Sequence, residues 1–119
     1  MKNGRIKISS WGGYLPQKKM TNSDMEKIVE TSDEWIVQRT GITQRFFASE
    51  SQATSDLALE SALISLKGRT HIDCIIVATT TPDLTFPSTA CILQGKLKER
   101  GISSNFAFDI QAVCAGFVY

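Results

Sequence analysis

Polar and apolar positions recur along this chain at two periods, and their order predicts its elements. Arg5 to Ser10 alternates around Ile6 and Ile8, which predicts a strand. Gly12, Gly13 and Pro16 end that strand in a loop. A helix is expected from Asn22 to about Val29, with Met25, Ile28 and Val29 on one face. Asn22 suits its N-cap, and Ser23-x-x-Glu26 offers a second capping box. A short helix follows, capped by Ser32 and stopped by Gly41. Asp33 and Glu34 fall in its first turn, where negative charge is favourable. Thr43 to Ala48 is rich in aromatics and reads as a strand.

The second half is more regular. Thr54 or Ser55 caps a helix running to about Lys67, with Leu59, Leu63 and Leu66 in one stripe and Ala58 and Ala62 beside it. Gly68 ends it. Cys74 to Thr79 is a continuous β-branched run, which predicts a strand covered on both faces. Thr80 to Pro87 is a loop. Ser88 or Thr89 starts a helix to about Leu97, with Leu93 and Leu97 facing inward, and Gly101 breaks the chain after it. Phe106 to Ile110 reads as another buried strand, and the chain then turns at Cys114 into the opening of a helix. Strands alternating with helices predict an α/β chain with a parallel sheet and right-handed crossovers.

Composition adds limits. The 119 residues suffice for one modest domain, with 42% hydrophobic and 21% charged residues. A net charge of +1 suggests neither nucleic acid nor an acidic partner. No apolar run has membrane-spanning length, and the N-terminus lacks the apolar core of a signal peptide, so a cytoplasmic location is the default. Three widely spaced cysteines do not read as a disulfide framework. With no C-x-x-C pair and a single histidine, His71, no metal site is expected. The chain stops five residues after Cys114, inside an expected helix, which suggests part of a longer protein.

The candidate chemistry gathers where strands end, since ligands of open α/β sheets collect beyond the carboxyl ends of the strands. Thr79 to Phe86 and Gln111 to Cys114 both fall there and are expected to face one cleft. A thiol at a strand-to-helix turn meets the positive end of the helix dipole, which favours the thiolate and makes Cys114 a candidate nucleophile. The other reading of Cys114 is a buried, inert thiol, the reading also given to Cys74 and Cys91. Trp35 and Arg39 lie four residues apart on one helix face. They form either a platform for a flat heterocycle carrying phosphate or a surface anchor shielded by arginine. Phe86-Pro87 is either core packing or an interface contact, and T-T-T-P-D either a plain turn or part of the cleft. Asp109 is expected to cap or brace the Cys114 turn, and His71 to lie on the surface, away from any role as its base.

Three segments carry a resemblance. T-S-D-E-W-I-V-Q-R-T-G-I (Thr31 to Ile42), A-T-T-T-P-D…F-P-S-T-A (Ala78 to Ala90) and F-D-I-Q-A-V-C-A-G-F (Phe108 to Phe117) occur in that order. Together they closely resemble the N-terminal part of the β-ketoacyl-[acyl-carrier-protein] synthase III family, which starts type II fatty-acid synthesis. The resemblance implies a thiolase-like fold, layered αβαβα with two halves related by a pseudo-twofold. Residues 1–119 would be the N-terminal part of the first half, ending just after the nucleophile.

The resemblance also implies roles. Cys114 matches the nucleophilic cysteine that takes a short acyl group from acyl-CoA, its backbone N–H lining the oxyanion hole. Trp35 matches the tryptophan stacked on the CoA adenine, Thr31 a threonine near that base, and Arg39 an arginine near the CoA phosphates. Phe86 matches a phenylalanine reaching across a homodimer interface toward the partner's acyl pocket. Acyl-CoA and malonyl-[acyl-carrier protein] are the implied substrates. No separate cofactor, nucleic acid or membrane is implied. The family's catalytic histidine and asparagine have no counterpart here, so residues 1–119 alone are expected not to condense, and their cut sheet to aggregate. Two alternatives keep the fold: a related condensing enzyme of secondary metabolism, and a truncated chain that only associates with a fuller subunit.

Overall fold

The computed structural model describes residues 6–119. They form two compact units: Leu15–Gln52, and the stretch up to Tyr14 joined with Ala53–Tyr119.

The smaller unit holds β1 (Lys18–Thr21), α1 (Asn22–Met25), α2 (Asp33–Thr40) and β2 (Gln44–Phe47). β1 was not legible as a strand. It pairs antiparallel with β2, Lys18 opposite Phe47 and Thr21 opposite Gln44. The helix expected from Asn22 to Val29 is a single turn, and its cap is Thr21, which exchanges capping-box hydrogen bonds with Asp24. Asn22 has a different task. It is buried, and its amide donates to Asp33 Oδ1 at 2.8 Å and to the carbonyl of Ile42 at 2.7 Å. Its oxygen accepts from Arg45 Nη2 at 3.3 Å. A turn, a helix and a strand thus meet on one amide, which outcompetes a local helix as its partner. α2 follows its forecast: Ser32 Oγ accepts from the Trp35 N–H at 3.1 Å, and Gly41 closes the helix at φ 70°.

The larger unit holds α3 (Thr54–Leu66), β3 (His71–Ala78), α4 (Thr89–Glu99) and β4 (Ser103–Ile110). β3 and β4 are parallel, from His71 opposite Ser103 to Ala78 opposite Ile110, with α4 as the connection between them. Leu59 of α3 and Leu93 and Leu97 of α4 pack with Ile75 and Ile102 in the core. Leu97 is 1% exposed, and its burial alone stabilises by roughly 2–3 kcal/mol. Neither expected cap opens α3. Its N-cap is Ala53, whose N–H donates to Asp56 Oδ2 at 2.9 Å.

Three expectations fail here. Arg5 lies outside the described residues, and residues 6–10 form no strand; Ile6 and Ile8 stand exposed because no ladder receives their backbone. Gly12 instead runs so close to α3 that a Cβ there would meet Ser61 O at 2.6 Å. Among the described residues the sheet is covered on one face only. Ile76, Phe106 and Phe108 are exposed on the other, the two rings stacked 6.4 Å apart. Cys91, expected to pack, is exposed on α4.

Two carboxyls give the fold a pH dependence. Hydrogen bonds from Thr21 and then Lys27 hold Asp24 down at about 2, below its ordinary 3.8. Hydrogen bonds from Lys96 and then the Ala53 N–H lower Asp56. Both folded values lie below the unfolded ones, so the unfolded chain takes up protons first on acidification. The stability is present above about pH 4 and is lost as pH falls toward 2. Thermal midpoints are expected to be level above pH 4 and to drop below it, with Asp56→Asn flattening part of that drop.

Candidate active site

Parallel pairing sends both strands the same way, so the loops after β3 and β4 leave from one edge. Cys114 sits at that edge, exposed and unpaired with any other cysteine. The expected helix is absent around it. Val113–Ala115 make one 3-10 turn, closed by Ala115 N–H to Ala112 O at 2.9 Å and Gly116 N–H to Val113 O at 3.2 Å.

The turn is held in a demanding shape. Val113 lies at φ 47°, in the left-handed region that a β-branched residue seldom enters. Gly116 is buried against the end of β3, where a Cβ would meet Ala78 Cβ at 2.9 Å. The Thr79 N–H donates to Ile110 O at 3.2 Å and extends the ladder by one bond past Ala78. The sulfur thus stands on a turn fixed on both sides, and what such a turn offers is an accessible nucleophile at a strand end.

The T-T-T-P-D loop is more than a plain turn. Asp83 accepts from Ser55 twice, from its N–H at 2.9 Å and from its hydroxyl at 2.5 Å. Lys96 Nζ donates to Ser55 Oγ at 2.7 Å and to the Asp56 carboxylate. The Asp83 N–H donates to Thr89 Oγ1 at 3.2 Å. Ser55 and Thr89 are fully buried, so these polar groups satisfy one another away from water. Sequence reading missed this set, because its members are far apart in the chain; an Asp in the loop just ahead of the α4 cap was the available signal. Asp109 was expected to cap or brace the Cys114 turn. Its oxygens accept from Thr89 N–H at 2.8 Å and Ala90 N–H at 2.7 Å, so the element it caps is α4. Phe86 is 82% exposed on the same loop, before a cis bond to Pro87.

His71 opens β3, with Nδ1 2.8 Å from Ser103 Oγ. Seven residues of strand, roughly 23 Å, separate it from Ala78 and the Cys114 edge. It cannot serve as that sulfur's base.

The smaller unit gathers the other candidates. Thr31 and Trp35 line one hollow of about 250 Å³, with Glu30 and Ser32. Arg39 Cζ lies 5.8 Å from the centre of the half-exposed Trp35 ring, within cation–π range. A flat aromatic group has a surface to lie on there, and one cation within a helical turn.

The Gly116 contact yields a test. Gly116→Ala should destabilise the protein by roughly 1–3 kcal/mol through overpacking. Adding Ala78→Gly, which deletes the opposing methyl, should recover part of that loss in a double-mutant cycle read by urea unfolding.

Known proteins resemble the chain closely. No family model matches it. β-Ketoacyl-[acyl-carrier-protein] synthase III of Ehrlichia ruminantium (strain Gardel) is 52% identical over 119 residues, 97% of this chain and 36% of the relative. The protein of the same name from Ehrlichia canis (strain Jake) is 55% identical over 119 residues. The chain therefore spans about a third of the length of the curated relatives it matches. The crystal structure of 3-oxoacyl-[acyl-carrier-protein] synthase III from Aquifex aeolicus VF5 superposes with a TM-score of 0.83 at 47% identity, covering 95% of this chain and 37% of that one. The priming β-ketosynthase of the R1128 polyketide pathway shares the fold, at a TM-score of 0.82 and 24% identity. Over nearly its whole length, then, the chain is similar in sequence and in its thiolase-like fold to the N-terminal part of β-ketoacyl-[acyl-carrier-protein] synthase III.

Proposed function

We propose that the intact protein carrying this chain is an acyltransferase that condenses acetyl-CoA, or another short acyl-CoA, with malonyl-[acyl-carrier protein]. The observation that carries the reading is the exposed Cys114 on its fixed turn, within a segment matching the synthase III nucleophile. The Cys114 thiolate attacks the acyl carbon of acyl-CoA, and the CoA thiolate leaves. The acyl-enzyme is then attacked by the carbanion that decarboxylation of the malonyl group releases. Cys114 leaves as thiolate, giving 3-oxoacyl-carrier protein and carbon dioxide. The Cys114 N–H is one donor to the oxyanion.

Thr31, Trp35 and Arg39 are assigned to the CoA moiety, the indole to its adenine and the guanidinium to its phosphates. The hollow beside Trp35 and the Arg39 guanidinium 5.8 Å from its ring support that assignment. Phe86 is assigned to a homodimer contact reaching the partner's acyl pocket; its exposure supports this. No cofactor is assigned, acyl-CoA being a substrate, and the setting is assigned as cytoplasmic. The only histidine is His71, at the far end of β3, so the groups that manage decarboxylation come from outside residues 1–119. These residues are thus the N-terminal part of the first thiolase-like domain. Identity on structural superposition favours this reading over a polyketide-type ketosynthase, at 47% against 24%.

Incubation of the intact protein with acetyl-CoA should place one acetyl group on Cys114, seen by mass spectrometry and peptide mapping, and Cys114→Ala should abolish it. Trp35→Ala should raise half-saturating acetyl-CoA by about 5- to 100-fold, the size of a lost aromatic stack. An acetyl group found elsewhere, or none at all, would sink the reading.

A further inference from the structure

Asp109 takes no part in the chemistry above, yet both of its carboxylate oxygens are engaged at the edge that carries Cys114. It lies on β4 opposite Val77, two residues from Ala107, and so shares the helix-facing side of the strand. Each carboxylate oxygen accepts one of the opening amides of α4, Thr89 N–H and Ala90 N–H. Both residues are wholly buried, and the negative charge meets the positive end of the helix. Ile110, the next residue, is the last rung of the ladder. Cys114 follows four residues later, across the strained Val113.

β4 is laddered to β3. Its end is tied to that ladder and, through Asp109, to α4. Thr89 joins this support to the neighbouring loop, since its hydroxyl accepts the Asp83 N–H while its own N–H goes to Asp109. We propose that Asp109 is a positioning residue for Cys114: by tying the end of β4 to the first amides of α4, it sets where the Gln111–Cys114 turn leaves the sheet. The proposal rests on the reading of Cys114 as the acyl-accepting nucleophile. A sulfur displaced by about 1 Å loses on the order of 100-fold in rate, because attack needs a near-ideal approach.

The test uses the intact protein with Asp109→Asn, which keeps the shape and sets an NH2 where an oxygen accepted. Leu93→Ala is the control: it removes a core side chain from the same helix and leaves every polar partner in place. Single-turnover acetyl transfer to Cys114, half-saturating acetyl-CoA and thermal midpoint are measured for each. Asp109→Asn should slow transfer by about 10- to 100-fold with half-saturation within about twofold of wild type. Leu93→Ala should lose at least as much thermal stability while its folded fraction transfers at nearly the wild-type rate. An unchanged rate in Asp109→Asn overturns the proposal, and so does an equal slowing in Leu93→Ala. Asp109→Ser, whose hydroxyl can accept one amide, is read the same way if Asp109→Asn does not fold. If the wild type takes no acetyl group, the acyl-transfer reading falls. Asp109 is then judged by the rate at which iodoacetamide alkylates Cys114, which must change in Asp109→Asn and not in Leu93→Ala.

Discussion

The parallel ladder between β3 and β4 is the constraint on which the larger unit depends. A parallel pair needs a crossover, and α4 supplies it. The crossover helix must cover one face, which makes Leu93 and Leu97 core residues beside Ile75. Parallel direction also brings both strand ends to one edge. The loop bearing Phe86 and the turn bearing Cys114 become neighbours although about thirty residues of chain separate them. An antiparallel pair would have put them at opposite ends.

Polar and apolar groups divide the labour in this unit. Leucines and isoleucines hold the helices to the sheet without fixing the height of any loop, because apolar contact has little direction. Direction comes from Asp83 and Asp109, each closing two hydrogen bonds on a helix start. A partly buried carboxylate is held charged by such donors. The smaller unit uses the same device with fewer apolar residues. Asn22 unites three segments there, and Ile36 is its buried aliphatic side chain.

Much of this was legible where period and punctuation agree. α2, with Ser32 before it and Gly41 after it, was read from local signals alone, and α4 was placed within two residues of its observed end. The leucine stripes marked the core. Reading failed where a residue's partner is distant. Asn22 looks like a cap until Asp33, Ile42 and Arg45 claim its side chain. K-K-M-T looks like a loop until β2 pairs with it. The apolar run of β3 suggested cover on both faces, but hydrophobicity states a demand for cover and does not say which segment meets it. For the candidate site, Cys114 and Trp35 were found from residue type and local motif. Asp109 was singled out as well, but not its partners, the Thr89 and Ala90 amides, nor the bonds of Asp83, since hydrogen-bond closure is a property of the folded chain.

Exposure of two of the three thiols has a consequence for handling the protein. Cys91 on α4 and Cys114 on its turn both face solvent, while Cys74 is half-buried. In air, two accessible thiols per chain allow copies to become linked covalently through either sulfur. A bridge through Cys91 leaves the Cys114 sulfur free, whereas one through Cys114 blocks it. Dimers formed on storage would therefore be of three kinds, Cys91–Cys91, Cys91–Cys114 and Cys114–Cys114, indistinguishable by size on a non-reducing gel, and only those with Cys114 in the bridge would release that sulfur when reductant is added.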